Sequence, residues 1–348
     1  MAKKFEDISI LYLCQREIYL HRTSRVRFHA VEAIEKRCRL IWSGPGWDNW
    51  DLEKTLNENI RAIYGKGKKP DFVFVYKPFE IKGFSENNLP ACISYNEMGT
   101  SSHPRSFTVK EITENKIDLV ICHHRNEMNY PEFKDLPCKM VNISHCAEET
   151  IFRDYHQDKT IDVLLVGAIH PRRYPLRTRL KGLILKMRED PRFAGYKMGV
   201  LSHPGGMVGN GYTNEEAIRY AKAINAAKIC LTCSGRYRSR YGKYSEIPAC
   251  RSLLMADLPD EDHEFFRKFA AVIDLDESDD SICKKILFYL QAEDERKRLT
   301  DIGYEITHSN FTQEHYAQRF LTAIQEYLDL YKGKKIPYHT PEKTQDLD

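Results

Sequence analysis

A group of cations placed before one carboxylate is the part of this sequence best suited to chemistry. Within residues 236–257, Glu246 follows a short basic segment that contains a glycine. The basic residues are Arg236, Arg238, Arg240 and Lys243. Cations beside the positive end of a helix form a site for phosphates, and a carboxylate there accepts hydrogen bonds from ribose hydroxyls. The pattern therefore indicates a nucleotide site, with a solvated surface loop as the alternative.

A second basic group follows the strand-like run Ile161–Val166. Gly167 comes directly after this run, and three arginines stand at or near the start of a helical pattern through Leu180, Ile184 and Met187. These arginines are Arg172, Arg173 and Arg177. Glycine lets a ligand approach the backbone, and guanidinium groups offer paired N–H donors to a diphosphate. The alternative is an amphipathic helix with an exposed basic face.

The elements that must position these groups alternate between short apolar runs and helical patterns. In the first half we predict strands at Ile8–Cys14, Arg39–Ser43, Asp71–Tyr76, Ala91–Tyr95, Ile117–Cys122 and Met140–Ile143. Helical spacing there covers residues 28–38 and Leu52–Tyr64. Further strands are predicted at Ile161–Val166, Gly195–Ser202, Leu253–Ala256 and Ala271–Asp276, and further helices at Glu215–Ala227, Ile282–Leu290 and Phe311–Tyr331. This alternation indicates parallel α/β sheets, which bind ligands at the carboxyl ends of their strands.

Polar residues follow the predicted strands of the first half. Glu97 comes after the fourth strand, His123 and His124 come after the fifth, and His145 comes after the sixth. His145 is either a functional residue or an ordinary loop histidine. Adjacent histidines on an extended segment point apart, and no ligand set with suitable spacing joins His123 and His124, so we predict no metal site.

Composition bounds the class of protein. A chain of 348 residues with a net charge of +3 fits two globular domains and argues against a dedicated nucleic-acid binder. No run of about 18 apolar residues is present, and the first residues lack a signal-peptide pattern, which favours a cytoplasmic location. Ten scattered cysteines are typical of reduced thiols. In the one C-x-x-C, Cys230 and Cys233 lie on a strand-like run and should face opposite sides.

Several of these motifs, in order, resemble the C-terminal half of GT-B glycosyltransferases, specifically the group-one and spore-maturation (CgeB-like) families. The likeness is strongest over residues 140–330, where several motifs carry it. They are His145, the segment Gly167, Arg173, Tyr174, Pro175 and Arg177, the run Tyr220–Leu231, then Lys243, Glu246, Ala249, Leu253–Asp257 and Ala271–Asp276. Two positions depart from the family pattern. Arg251 occupies the place of a glycine, and Arg238 occupies the place of a first glutamate.

The resemblance implies a GT-B fold, with two Rossmann-like parallel-sheet α/β domains facing a cleft. The expected divisions are an acceptor-side domain over residues 1–157, a donor domain over 158–312, a helix over 313–331 that crosses back to the first domain, and a polar tail over 332–348. The implied donor-binding residues are Gly167, Arg173, Arg177, Ser234, Arg240, Lys243, Tyr244 and Glu246. His145 and Glu97 are the candidate catalytic bases if the reaction inverts the anomeric centre, whereas a retaining course needs no separate base.

The implied activity is a metal-independent hexosyl or pentosyl transfer from a nucleotide sugar, of UDP or GDP type, to an acceptor hydroxyl. No cofactor is implied beyond the nucleotide sugar itself. The acceptor remains open among a glycan, a lipid-linked molecule, a protein and modified DNA. For DNA the available basic residues are Arg16, Arg22, Arg25, Arg27, Arg37 and Arg39. A nucleotide-sugar sensor or assembly factor without transfer activity is the alternative, and Arg238 is its main support.

Overall fold

Two separate parallel sheets organise the described part of the chain. The computed structural model describes residues 3–21, 26–76, 81–99, 104–203 and 214–331. The chain divides into two compact units. Of the described residues, the first unit holds 3–21, 31–144 and 317–331, and the second holds 26–30 and 145–316. The expected polar tail over 332–348 lies outside the described residues.

The first unit contains a six-stranded sheet in the order β2-β1-β3-β4-β5-β6. Its strands are β1 (Ser9–Leu13), β2 (Arg39–Ser43), β3 (Phe72–Val75), β4 (Ala91–Tyr95), β5 (Leu119–Cys122) and β6 (Lys139–Asn142). All neighbouring pairs are parallel. Every residue of β3 and β5 is buried, as expected for strands that are covered on both faces. All six predicted strands are confirmed, two of them with the predicted bounds and the others with ends that differ by at most two residues.

The helices of the first half differ more from the sequence prediction. They are α1 (Arg16–His21), α2 (Val26–Glu35), α3 (Leu56–Tyr64) and α4 (Arg105–Glu114). Helix α3 begins four residues later than predicted because Thr55 caps it. The Thr55 side chain accepts from the Glu58 N–H, and the Glu58 carboxylate accepts from the Thr55 N–H at 2.8 Å. This capping box fixes the helix start.

The second unit contains a five-stranded parallel sheet in the order β11-β10-β9-β7-β8. Its strands are β7 (Ile161–Val166), β8 (Met198–Leu201), β9 (Ala227–Leu231), β10 (Leu253–Ala256) and β11 (Ala271–Val272). The prediction of a strand over Ala271–Asp276 is too long. After β11 the backbone turns, because the Glu277 N–H donates to the Asp274 carbonyl at 3.2 Å and the Glu277 carboxylate accepts from the Asp274 N–H.

Seven helices follow β7 in the described residues, and the last of them lies mostly in the first unit. They are α5 (Pro175–Glu189), α6 (Asn214–Asn225), α7 (Lys243–Ala249), α8 (His263–Phe266), α9 (Asp279–Gln291), α10 (Glu293–Asn310) and α11 (Gln313–Tyr331). From Ala317 onward α11 belongs to the first unit. There Phe320 packs on Phe74 with ring centroids 4.9 Å apart, and the Tyr327 hydroxyl donates to Asp118 at 2.8 Å.

The cysteines behave as the sequence predicts. All ten are free thiols. Cys230 packs in the hydrophobic layer that contains Tyr244, whereas Cys233 packs in the layer that contains Leu180. The two residues therefore lie on opposite faces of the sheet. No helix among the described residues is long and apolar enough to cross a bilayer.

Candidate functional site

The strand order of the second unit creates a crevice between β7 and β9. The chain places β8 on one side of β7 and then crosses to the other side to form β9. At such a switch point the connections leave in opposite directions, so ligands bind beside the carboxyl ends of the two strands. Gly167 follows β7 and Ser234 lies three residues beyond β9. The two basic groups found in the sequence therefore flank one crevice.

Arg177 braces the two walls of this crevice. Its side chain is 3% exposed, and its Nη1 and Nη2 atoms donate to the Ala168 carbonyl at 2.8 Å and to the Cys233 carbonyl at 3.2 Å. Gly167 makes room for it, because a Cβ at that position would lie 2.7 Å from Nη1. Gly167 also has a φ of +109°, which disfavours other residues. Arg177 thus uses these N–H donors on backbone carbonyls, and its predicted contact with a donor stays a prediction.

The start of α5 supplies N–H groups at the same crevice. Pro175 is the first helical residue and has no N–H, and the Thr178 N–H makes the first turn's bond to the Tyr174 carbonyl at 2.9 Å. The N–H groups of the intervening residues have no acceptor within the helix. The half-buried Arg173 stands two residues before the helix. A helix start with an adjacent guanidinium favours an anion.

Lys243 and Glu246 form a buried ion pair in α7, all seven residues of which are buried. The Lys243 ammonium contacts the Glu246 carboxylate and lies 4.9 Å from the centre of the Tyr220 ring. Burial lowers the pKa of Lys243, and the Glu246 carboxylate acts in the opposite direction. The charge of Arg177 also lowers the pKa of Lys243. The structure therefore pairs Lys243 with Glu246 in a buried helix.

Ser234 and Tyr244, both predicted to contact a donor, are instead anchored to Asp257. The Asp257 carboxylate accepts from the Ser234 N–H at 2.7 Å, from the Ser234 hydroxyl and from the Tyr244 hydroxyl. The Tyr244 hydroxyl also donates to the Asp257 carbonyl at 2.6 Å. Burial raises the pKa of Asp257. Asp257 was not selected from the sequence as a site residue, although its place directly after β10 was the available signal.

Arg240 is fully buried, and its predicted role as a diphosphate ligand stays a prediction. Its Nη1 donates to the His145 carbonyl at 2.6 Å, and its Nε lies 2.8 Å from the Asp262 carboxylate. The guanidinium also lies 4.4 Å from the centre of the Phe311 ring. Arg240 therefore anchors the start of the second unit.

The two candidate bases lie in different units. Glu97 follows β4 by two residues in the first unit, and His145 is the first residue of the second unit's main segment. Both side chains are half-buried. Their catalytic roles stay predictions. Within the described residues no group of three or more His, Cys, Asp and Glu side chains is arranged to hold a metal ion.

The two departures from the family pattern have a structural explanation. Arg251 follows the C-cap of α7 with a φ of +49°, the left-handed conformation in which helices commonly end on glycine. Its side chain pairs with Asp154 at 3.1 Å and with Asp301. Arg238 has a φ of +48° and pairs with Asp260 at 2.9 Å. Each strained backbone is thus held by ion pairs.

Of the six arginines that a DNA acceptor would need, three have interaction partners, and the other three lie wholly or partly outside the described residues. Arg16 pairs with Asp48 at 3.2 Å, and Arg39 pairs with Asp7 at 3.5 Å. Arg37 is half-buried and has an interaction partner. Arg22 and Arg25, and the side chain of Arg27, lie outside the described residues.

Comparisons with known proteins agree with this architecture. Residues 179–322 match the family model described as "Glycosyl transferase-like". Among solved structures, sucrose-phosphate synthase from Thermosynechococcus elongatus superposes with a TM-score of 0.56 at 12% identity, covering 94% of this chain and 100% of that one. Anabaena HepE in complex with UDP and glucose gives 0.56 at 8% identity, covering 92% and 100%.

A third solved structure is an alpha-glucosyltransferase in complex with UDP and a 13-mer DNA. It superposes with a TM-score of 0.54 at 10% identity, covering 90% of this chain and 98% of that one. Identities this low show the fold, which is that of GT-B glycosyltransferases. No curated protein matches the sequence. The narrower likeness to the spore-maturation type stays a prediction.

Proposed function

We propose that this chain, whose fold is that of GT-B glycosyltransferases and whose residues 179–322 match the "Glycosyl transferase-like" family model, moves a sugar from a nucleoside diphosphate sugar to an acceptor hydroxyl without a metal ion. The observation that carries the proposal is the crevice between β7 and β9, which holds the start of α5 and the group Arg177, Lys243 and Glu246. A diphosphate needs positive charge at this place, and a ribose needs a carboxylate.

The diphosphate would bind at the start of α5. There it meets the N–H groups of the first helical turn and Arg173, and Arg177 adds a further positive charge within that turn. When the sugar leaves, negative charge grows on the terminal phosphate. Fixed donors and cations already in place stabilise that charge without reorganising, which is how a site accelerates departure of the leaving group. These groups take the part that a divalent cation plays in other enzymes.

Glu246 would hold the ribose. Its carboxylate has two oxygens, so one can keep Lys243 while the other accepts from the 2′- and 3′-hydroxyls. The pairing with Lys243 fixes this carboxylate in a buried helix. A preformed acceptor of this kind binds ribose at little cost in side-chain entropy.

The acceptor side is less defined. His145 and Glu97 are the two candidates for the base that an inverting course requires, and a retaining course requires neither. The acceptor class stays open among glycans, lipid-linked molecules, proteins and modified DNA. One structural relative was solved with DNA, but the pairing of Arg16 and Arg39 with carboxylates gives no particular support to that acceptor here.

Metal independence gives the first prediction. Hydrolysis of a panel of UDP- and GDP-sugars by the full chain should proceed at the same rate in excess EDTA as in magnesium, because Arg173, Lys243 and the start of α5 supply the positive charge. Release of nucleoside diphosphate is the measurement. Loss of activity in EDTA that magnesium or manganese restores would contradict the proposal. Binding of a donor with no turnover under any condition would instead identify a nucleotide-sugar sensor.

A further inference from the structure

A cavity opens at the carboxyl ends of β10 and β11, beside the β11 edge of the same sheet. It has a volume of about 410 Å³, which falls in the range of small-molecule sites. Its lining residues come from the ends of β10 and β11 and from the segments beside them. They are Arg238, Leu258, His263, Arg267, Val272 and Asp274. None of Arg173, Arg177, Lys243 and Glu246 is among them, so the proposed donor groups do not form this cavity.

The walls of the cavity are held in place by hydrogen bonds between two loops. The Asp260 N–H donates to the Arg238 carbonyl at 2.7 Å, and the Arg238 Nη2 donates to the Leu258 carbonyl at 3.2 Å. Arg238 Nε also lies 2.9 Å from the Asp260 carboxylate. A wall fixed in this way loses little entropy when a ligand binds, so the cavity is preorganised.

The charges on the walls are not all neutralised from within. Asp260 balances Arg238, and His263 contacts Glu264 at 3.4 Å. Arg267 is exposed and contacts His263 Nε2 at 3.4 Å, but within the described residues it has no carboxylate partner. A guanidinium in this position offers paired N–H donors that match a carboxylate or a phosphate.

The other lining residues indicate what kind of molecule would carry the anionic group. Asp274 is a carboxylate that accepts hydrogen bonds from hydroxyl groups. Leu258 and Val272 form an apolar surface on which the C–H face of a sugar ring can pack. An anionic group, several hydroxyls and an apolar ring face occur together in a sugar acid or a sugar phosphate.

We infer that this cavity binds an anionic monosaccharide group. Arg267 holds its carboxylate or phosphate, Asp274 accepts from its hydroxyls, and Leu258 and Val272 contact the ring. The inference uses only the cavity walls, so it does not rest on the proposed donor site. In a glycosyltransferase such a group would belong to the transferred sugar or to the acceptor.

The test measures binding of three probes to the full chain by calorimetry at low salt: glucuronate, glucose 6-phosphate and glucose. At least one anionic probe should bind in a saturable manner, and glucose should bind at least tenfold more weakly, because a charge-assisted contact contributes roughly a tenfold to hundredfold gain. The stronger of the two anionic probes identifies carboxylate or phosphate as the preferred group. Inorganic phosphate should bind more weakly than glucose 6-phosphate, since it lacks the ring and hydroxyls.

The decisive variants are Arg267→Gln and Lys268→Gln. Both remove one exposed cation from neighbouring positions, so they change net charge equally, but only Arg267 lines the cavity. Arg267→Gln should weaken the anionic probe about tenfold or more, and Lys268→Gln should leave its affinity unchanged. Equal losses in both variants, no binding of either anionic probe, or displacement of the probe by UDP or GDP would each overturn the inference. Donor hydrolysis is scored separately, so failure here leaves the proposed function untouched.

Discussion

Replacing Glu246 with alanine should destabilise the second unit by about 3–5 kcal/mol, the usual cost of removing one partner from a buried ion pair. The side chains of Lys243 and Glu246 are each only 7% exposed, so the variant leaves an ammonium group in an apolar helix without its partner. The Tyr220 ring beneath Lys243 replaces only a small part of the lost attraction. Urea unfolding followed by circular dichroism measures the change through the transition midpoint.

The double variant Lys243→Met/Glu246→Met should recover most of that loss. Apolar side chains of similar volume remove the buried charge altogether, and such replacements are commonly neutral or stabilising. Glu293→Ala is the matched control, because it breaks an exposed Glu293–Lys297 pair on α10 and should leave the midpoint unchanged. A Glu246→Ala protein as stable as this control would show that the pair is not buried in solution.

Replacing Arg173 with alanine should lower the rate of donor hydrolysis by about 10²- to 10³-fold, the range observed when one fixed donor to a developing negative charge is removed. The affinity for the nucleoside diphosphate itself should fall less, because the terminal phosphate gains most of its negative charge as the sugar departs. Initial rates with the best donor of the panel and calorimetric binding of its nucleoside diphosphate provide the two measurements.

Arg172→Ala is the control for Arg173. Arg172 is the adjacent residue, is exposed and carries the same charge, so its removal changes long-range attraction of the donor equally. Its variant should keep the wild-type rate within a factor of about two, as usual for exposed residues outside a site. Equal rates for the two variants would contradict this role of Arg173. They would favour the alternative, in which Arg173 belongs to an exposed basic face of the helix.

The strands were predictable because they depend on composition alone. Runs such as Leu253–Ala256 are continuously apolar, and a parallel sheet that is covered on both faces requires this. Four helices escaped prediction, of which α1 and α8 span only six and four residues. Helix α4 is rich in β-branched residues with low helix propensity, and α10 is so highly charged that its narrow apolar stripe is hidden. In α10, Gly303 packs against Phe269, where a Cβ would lie 2.7 Å from the ring.

The sequence indicated a candidate site, which stays a prediction, but not the contacts of its residues. Spacing selected Gly167, Lys243 and Glu246; the fold places Gly167 directly after β7 and pairs Lys243 with Glu246 in α7. Spacing could not separate arginines that face a ligand from arginines that brace the backbone. Arg177 donates to backbone carbonyls, and Arg240 donates to a carbonyl and lies beside a carboxylate. Most of these partners are distant in sequence, so only the folded chain brings them together. Asp257 was missed for the same reason, because its partners Ser234 and Tyr244 meet only in the folded unit.

The central claim is that a nucleoside diphosphate binds beside α7 with its ribose on Glu246. The direct test compares calorimetric affinity of wild type and Glu246→Gln for UDP or GDP, whichever binds more tightly, and for its 2′,3′-dideoxy analogue. Glutamine keeps the side-chain size and an oxygen that accepts from Lys243, so the helix should remain folded. The variant should lose about tenfold or more in affinity for the natural nucleotide, because it loses a hydrogen bond to a charged group. It should bind the dideoxy analogue as tightly as the wild type does. Equal losses for both ligands, or no loss for either, would contradict the claim.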